Sequence, residues 1–157
     1  MSQPRLRDAV RGVVVDPGDR VLLVRFEFPH WTGWATPGGG VDVGETDEEA
    51  LRRELAEEAG LDALELGPIV WTRTHLFELG RWDGQVERYY FVRTPAFDPA
   101  PRLTWAQLNA EFVTAVRWWT LEELEAADAL FAPHRLPALV RELLLYGPPP
   151  EPIDVGV

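Results

Sequence analysis

The sequence predicts a domain that combines several β-strands with one charged central helix and one or two later helices. Three observations predict this. Val-rich runs flank a turn signal at residues 16–19, capping signals of a helix begin at Thr46, and residues 137–146 are typical of a helix with Pro in its first turn. No linker or repeat divides the 157 residues. We therefore expect one domain over residues 1–147 and a loose, Pro-rich tail at 148–157.

The first part of the chain predicts a β-hairpin followed by an irregular segment. Strands are expected at residues 9–15 and 20–26, on either side of the Asp-Pro-Gly-Asp turn. Residues 28–36 are rich in aromatic and turn-forming side chains. The Pro-Gly-Gly-Gly run at 37–40 cannot form a regular helix, so we expect a loop whose backbone can approach a ligand closely.

A helix is expected to begin at Thr46 and to end at Gly60. Thr46 and Glu49 have the spacing of a capping box, in which each side chain satisfies a free amide of the other residue. Gly60 occupies the position after the last turn, where glycine is favoured. Leu51 and Leu55 lie on one face and predict the side of the helix that is buried.

The second half of the chain predicts further strands and two more helices. Strand-like runs are separated by a turn and by a Pro-rich loop, and a second capping box opens a short helix at Thr120. The expected strands are residues 69–79, 86–93 and 112–119; the turn is 81–84, the loop is 97–102 and the short helix runs toward residue 127.

Composition excludes several classes of function. The formal net charge is −11, which disfavours a protein that binds nucleic acid or anionic membranes through bulk electrostatics. The chain has no Cys, so disulfides, thiol catalysis and Cys-bound metal sites are excluded. No apolar run approaches the length of a membrane span, and residues 1–10 do not resemble a signal peptide. We expect a cytoplasmic protein.

Much of the negative charge is concentrated in one segment. Residues 42–58 contain eight acidic and two basic side chains and carry −6 of the total charge. At about 100° per residue, Glu54, Glu57 and Glu58 fan out along one flank of the predicted helix, beside its apolar stripe. Taken by itself, this acidic pattern is explained by a helix face that is exposed to solvent. The preceding Gly-rich run favours a second interpretation, a site for a hard cation such as Mg²⁺ that neutralises a phosphate.

Residues 39–61 resemble the Nudix box, G-x5-E-x7-R-E-U-x-E-E-x-G-U with U an aliphatic residue. Every fixed position of that pattern is filled, at the correct spacing. The matching residues are Gly39, Glu45, Arg53, Glu54, Leu55, Glu57, Glu58, Gly60 and Leu61. The resemblance extends more weakly over residues 10–124, and nine fixed positions within 23 residues make it highly specific.

The resemblance implies an α/β fold, an α/β/α sandwich with a mixed β-sheet and the box as loop, helix and loop. It implies hydrolysis of a diphosphate linked to another group, usually a nucleoside, with Mg²⁺ or Mn²⁺ as cofactor. By position, the family's metal ligands correspond to Glu54, Glu57, Glu58 and the carbonyl of Gly39. Its orienting arginine corresponds to Arg53, and Glu45 and Gly60 correspond to residues that support the box.

The sequence does not decide which residue is the general base or which residues contact the substrate. Glu54, Glu87 and Glu111 are candidates for the base, although the last two are more often ordinary surface carboxylates. Phe28, Trp31 and Trp82 lie in turn-like segments and are candidates for stacking on a nucleobase, and Arg25 and Arg73 are candidates for phosphate contacts. These substrate-binding residues are Arg25, Phe28, Trp31, Arg73 and Trp82.

Two classes of function remain after these exclusions. The first is an active hydrolase that cleaves the pyrophosphate linkage of a small nucleoside-diphosphate-linked or nucleoside triphosphate substrate. The second is a non-catalytic Nudix module that senses a nucleotide, which is disfavoured because no box carboxylate is missing. The acidic balance argues against RNA or another nucleic-acid polymer as partner. A homodimer is possible.

Overall fold

The computed structural model describes residues 3–157. Within that range the chain forms nine strands and four helices. The strands are β1 Leu6–Val15, β2 Val21–Phe28, β3 Trp31–Ala35, β4 Gly38–Gly40, β5 Glu65–Leu79, β6 Trp82–Arg93, β7 Val113–Trp119, β8 Phe131–Ala132 and β9 Ile153–Asp154. The helices are α1 Asp47–Ala59, α2 Trp105–Ala110, α3 Leu121–Ala126 and α4 Leu136–Tyr146.

The strands form one mixed sheet, which confirms the predicted α/β class. The strand order is β8-β3-β2-β1-β6-β5-β9, with β4 paired to β1 and β7 paired to β2. The strand β1 runs parallel to β6 along its whole length and antiparallel to β2 and β4. The predicted hairpin is therefore present, and β1 lies at the centre of the sheet.

Helices cover both faces of the sheet, as expected for a sandwich. Successive residues of a strand point to opposite faces, and β1 uses this alternation to contact two separate cores. Val10 and Val14 pack with Leu51 and Leu55 of α1. Val13 belongs to the core on the other face, which α3 and α4 close. Both cores are built mainly from apolar side chains, so burial of this surface is the main stabilising contribution.

The helix α1 is fixed at both ends. Thr46 and Glu49 form the predicted capping box. Asp47 accepts two hydrogen bonds from the Arg88 guanidinium, at 2.7 and 2.8 Å, and one from the Tyr90 hydroxyl at 2.7 Å. Gly60 ends the helix in the left-handed conformation with φ of 71°, and a Cβ at this position would collide with a neighbouring backbone carbonyl. The helix therefore keeps one position on the sheet.

Two segments that the sequence predicts to be irregular are strands. Residues 31–35 form β3, which pairs antiparallel with β2 through five residue pairs. Residues 38–40, predicted to be a loop, form β4 and pair with Ala9, Val10 and Arg11 of β1. Both segments are short and contain Gly, which is depleted in strands, so pairing with β2 and with β1 determines their conformation.

The final segment is ordered, which corrects the prediction of a loose tail at 148–157. β9 pairs in parallel with β5. Val155 is buried, and its amide donates a 2.9 Å hydrogen bond to the Thr72 carbonyl. The His134 amide donates to the Val157 carbonyl at 3.2 Å. The proline run after α4 therefore ends the helix and returns the chain to the sheet.

None of the helices within residues 3–157 is both long enough and apolar enough to cross a bilayer.

Candidate active site

The strand β4 brings its backbone against the carboxylates of α1. A Cβ on Gly39 would lie 2.5 Å from Oε1 of Glu54, so only glycine allows the Glu54 carboxylate to lie this close to the β4 backbone. The amide of Gly38 donates a 2.8 Å hydrogen bond to Oε1 of Glu58. The structure thus places Gly39, Glu54 and Glu58 together, from segments that are 15 and 19 residues apart in sequence.

Glu58 is a buried carboxylate, with 2% of its surface exposed. Burial is the largest effect on it, followed by the charge of Glu54, and together they hold the pKa of Glu58 well above its usual range. The charge of Arg11 and the Gly38 amide act in the opposite direction but do not offset burial. A buried acid that is only partly compensated is a favourable ligand for a cation.

The guanidinium of Arg53 links several residues of the Nudix-like segment through hydrogen bonds. Its guanidinium forms a two-point contact with Glu45, with Nε to Oε2 and Nη2 to Oε1 both at 2.9 Å. It also donates to Oε1 of Glu54 at 2.9 Å and to the Gly40 carbonyl at 3.1 Å. Oε2 of Glu57 lies 3.6 Å from Nη1. One planar cation therefore orients two carboxylates of α1 relative to β4 and to the preceding loop.

Burial and neighbouring negative charges raise the pKa values of the α1 carboxylates. For Glu54, burial is the largest cause of a raised pKa, and the charge of Glu57 adds to it. For Glu57, burial is again the largest cause and Glu111 adds to it, while Arg53 acts against both. The charge of Glu111 also raises the pKa of Glu58. Four negative groups therefore share one region, and a cation placed among them would relieve their repulsion.

Glu111 lies at the end of α2, a helix that was not among those predicted from the sequence. It is the exposed C-terminal cap of α2. A capping box of Thr104 and Gln107 opens this helix, and both of its hydrogen bonds are present. The sequence contained this signal, the same Thr-x-x-Glu/Gln pattern that predicted α1 and α3.

The residues at this site fit a hard divalent cation, although they do not form a complete coordination shell. No three acidic or histidine side chains converge as a ready-made ligand set in the described part of the chain. All the candidate donors are oxygens, namely the Gly39 carbonyl and the carboxylates of Glu54, Glu57 and Glu58. Mg²⁺ takes oxygen ligands and retains several waters, so one or two carboxylates are sufficient to hold it.

Glu87 is buried and ion-paired, which corrects the expectation of a surface carboxylate. It is 1% exposed, and its two oxygens accept from Arg11 and Arg73, each at 2.6 Å. Burial raises the pKa of Glu87, but the two guanidiniums outweigh burial and the net shift is downward. A carboxylate that is held ionised and fully paired is a poor general base.

The aromatic candidates lie on strands rather than in turns. Phe28 ends β2, Trp31 begins β3 and Trp82 begins β6. Phe28 is 39% exposed, and its ring centroid lies 6.5 Å from that of Trp31. Phe112, which sequence reasoning missed, lies 5.0 Å from Phe28, is 43% exposed and has a φ of 67°. Phe112 directly follows Glu111 in sequence, and the charge of Glu111 raises the pKa values of the α1 carboxylates.

The remaining substrate candidates have partners within the protein. Arg25 donates to the Thr114 hydroxyl at 2.9 Å and to Glu27 at 3.1 Å. Arg73 is buried and bound to Glu87, so it is not the free phosphate contact that the sequence suggested. Trp82 stacks with the Arg81 guanidinium, 4.7 Å from the ring centroid, at the turn between β5 and β6.

The contact between Glu45 and Arg53 predicts an acid-side stability change. The hydrogen bond from Arg53 is the main cause that lowers the pKa of Glu45 to about 2, from 4.5. A lowered carboxylate pKa contributes stability above about pH 4.5, and this is lost as the pH falls toward 2. We expect Glu45→Gln to lower the melting temperature at pH 6, and this deficit to shrink steadily as the pH is lowered to 3. A deficit that is constant across a series of melting curves would contradict the prediction.

Comparison with known proteins confirms the family that the box resembles. The NUDIX domain family model matches residues 5–141. The chain therefore belongs to the NUDIX domain family.

Individual relatives match parts of the chain. An RNA pyrophosphohydrolase of Sulfurovum sp. is 42% identical over 67 residues, which cover 38% of this chain and 43% of that protein. The nucleoside triphosphatase NudI of Enterobacter sp. is 36% identical over 97 residues, which cover 60% of this chain and 67% of that protein. The chain spans about half the length of the curated relatives it matches.

Among solved structures, the NUDIX domain of Shewanella oneidensis NrtR, in complex with ADP ribose, superimposes with a TM-score of 0.65. The match is 23% identical and covers 91% of this chain and 90% of that one. At this level of identity, the likeness is one of fold.

Proposed function

We propose that this protein hydrolyses the pyrophosphate linkage of a small nucleotide, either a nucleoside triphosphate or a nucleoside diphosphate joined to another group. The observation that carries the proposal is the group of oxygen ligands at the junction of β4 and α1. Glu54, Glu57 and Glu58 there have pKa values raised by burial and by neighbouring carboxylates. Mg²⁺, with Mn²⁺ as a substitute, is the proposed cofactor, and Gly39 supplies a carbonyl ligand.

Each residue of the box has a proposed task. When bound, the cation offsets negative charge on the phosphate oxygens. Arg53 holds Glu54 in place and is itself held by Glu45. The Gly38 amide fixes the orientation of Glu58. These contacts place the carboxylates before a substrate arrives, so little reorganisation is needed during the reaction.

Glu54 and Glu111 are the two proposed general bases. Burial raises the pKa of Glu54, which makes this carboxylate a stronger base than one in water. Glu111 is exposed at the rim of the site and is close enough to influence the α1 carboxylates electrostatically. Glu87 is not proposed for this role because both of its oxygens are bound to arginines.

Charge and exposed aromatics favour a small substrate over a polymer. The chain has a net charge of −11, and extended RNA would be repelled over most of such a surface. A single nucleotide presents its charge mainly at the phosphates, where a cation can neutralise it. Phe28 and Phe112 supply exposed rings beside Glu111 for contact with a base. Relatives named for RNA and for nucleoside triphosphates make the distinction testable.

A substrate panel tests the proposal. Purified protein with MgCl₂ is incubated with nucleoside triphosphates, ADP-ribose, dinucleoside polyphosphates and an RNA oligomer bearing a 5′-triphosphate, and the products are separated by anion-exchange chromatography. We expect a nucleoside monophosphate from at least one small substrate, and loss of that product in Glu57→Gln. Glu48→Gln, on the exposed surface of the same helix, is the matched control and keeps the activity.

The same panel separates the alternatives. Cleavage of the RNA oligomer alone would overturn the small-molecule proposal. Tight nucleotide binding without any product, measured by calorimetry, would indicate a sensor module in place of a hydrolase. A cytoplasmic location and a homodimer stay predictions, the second with exposed apolar side chains at Leu145, Tyr146 and Ile153 as a candidate contact surface.

A further inference from the structure

A buried charged network crosses three strands of the sheet next to the candidate site. Glu87 of β6 lies between Arg11 of β1 and Arg73 of β5. Nε of Arg11 and Nη1 of Arg73 each lie 2.6 Å from a different oxygen of Glu87. The side chains of Glu87 and Arg73 are 2% and 9% exposed, and that of Arg11 is 15% exposed. All three charges are therefore held largely away from water.

The network continues into backbone at both ends. Nε of Arg73 donates to the Gly156 carbonyl at 3.1 Å. Nη1 of Arg11 donates to the carbonyls of Thr36 and Gly38, at 3.3 and 3.4 Å. The amide of the same Gly38 residue donates to Glu58 at 2.8 Å. A continuous series of polar contacts therefore runs from the returning final segment to a carboxylate of the proposed metal site.

Stability alone is a weak reason for such a network. Removing three charges from water costs free energy that their mutual attraction only partly returns, and apolar residues often stabilise such a position equally well. The network also carries two cations for one anion. One of these cations, Arg11, also acts on the proposed metal site, because its charge lowers the pKa of Glu58. The network lies beside β4, and this location indicates a role at the candidate site.

We propose that Arg11, Glu87 and Arg73 are positioning residues, which hold the Gly38 backbone and thereby Glu58 in the geometry that binds the divalent cation. The inference rests on the proposed function. Glu87 fixes the guanidinium of Arg11, and Arg11 in turn donates to the carbonyl of Gly38, whose amide donates to Glu58. Arg73 holds Glu87 from the far side and connects it to the segment after β9. None of the three residues touches the cation.

Metal affinity without substrate tests this role. Mn²⁺ binding is measured by titration with MnCl₂, using electron paramagnetic resonance to count the free ion. We expect Glu87→Gln to raise the Kd for Mn²⁺ about tenfold, the usual size of an effect transmitted through a ligand's hydrogen-bond partners. Melting curves of the same samples show how far the fold is weakened, and binding is measured well below the melting temperature.

The matched control is Asp16→Asn. Asp16 is also a buried carboxylate, 4% exposed, bonded to an arginine and to backbone amides, but in the turn after β1. Both variants are expected to lower the melting temperature, and only Glu87→Gln is expected to change the Kd for Mn²⁺. If Glu87→Gln does not fold, the charge-balanced double variant Glu87→Gln/Arg73→Met replaces it, with the same expected change in Kd.

Several results would overturn the inference. One is a folded variant whose Kd for Mn²⁺ lies within twofold of the wild type, and another is an equal change in Asp16→Asn. Failure of both Glu87 variants to fold would assign the network to folding and not to the site. Failure of the proposed function is separate from these, because it would appear as weak or absent Mn²⁺ binding, or as no turnover, in the wild-type protein.

Discussion

Glu58→Gln is expected to lower kcat about 10³-fold and, at the same time, to raise the stability of the metal-free protein. The loss of activity follows if Glu58 is a ligand of the cation. Removing a charged ligand removes part of a charge stabilisation worth several kcal/mol, and about 4 kcal/mol corresponds to a factor of about 10³ in rate. The substitution keeps the size of the side chain and an oxygen to accept from the Gly38 amide.

The gain in stability has an independent cause. Glu58 is buried, and burial together with the charge of Glu54 raises its pKa. A neutral amide avoids both the desolvation cost and the repulsion, so we expect the free energy of unfolding to rise by about 1–2 kcal/mol. If Glu58 served folding alone, Glu58→Gln would instead lower the free energy of unfolding.

Steady-state kinetics and chemical denaturation in the absence of metal measure the two effects. Glu48→Gln is the control, because Glu48 is on the exposed surface of α1, where it pairs with Arg52; its kcat is expected to stay unchanged. A Glu58→Gln protein that is both active and less stable would refute the assignment of Glu58 to the metal site.

The second large effect expected is stabilisation by the divalent cation. A ligand that binds only the folded state, at about 100 times its Kd, stabilises by about 2.7 kcal/mol. For a domain of this size, that corresponds to a rise in melting temperature of about 5–10 °C. We expect MnCl₂ to produce this rise in the wild type, EDTA to reverse it, and Glu58→Gln to lose most of it.

The stabilisation is expected to depend on pH with a defined sign. The pKa values of Glu54, Glu57 and Glu58 are raised in the folded protein. In the absence of metal, each therefore contributes stability that falls as the pH rises above about 4.5, the ordinary value. Protons compete with the cation for these groups, so the rise in melting temperature caused by Mn²⁺ should be larger at pH 8 than at pH 5. Equal rises at both values would count against these ligands.

Local signals in the sequence were sufficient for part of the fold. The helix α1 begins and ends where Thr46 and Gly60 predict, because its caps are formed by residues at its own two ends. The strands β3 and β4 were missed because they are short and contain Gly, so only their pairing within the sheet orders them, as when Gly39 pairs with Val10. The tail was missed for the same reason, since β9 is ordered by β5.

The candidate site likewise combines features that the sequence predicts with features that it does not. The grouping of Glu54, Glu57 and Glu58 on one flank follows from helical periodicity, and their spacing in the box made the family recognisable. The burial of Glu87 could not be predicted, because its partners Arg11 and Arg73 come from neighbouring strands, 76 and 14 residues away. The turn signals of a single sequence indicate hairpin partners, but they do not show that β1 pairs with β6.

The double attachment of α1 limits how the site can adapt. Asp47 is bound to Arg88 and Tyr90 of the sheet at one end, and at the other end Gly60 fits closely against the backbone. These contacts oppose sliding or rotation of the helix, so its backbone keeps a fixed position relative to the Gly39 backbone of β4. Ions of different radius must be accommodated by side-chain torsions, of which each glutamate has three. The selectivity of this site for one cation over another would then depend on the side-chain torsions of the glutamates and not on movement of the backbone.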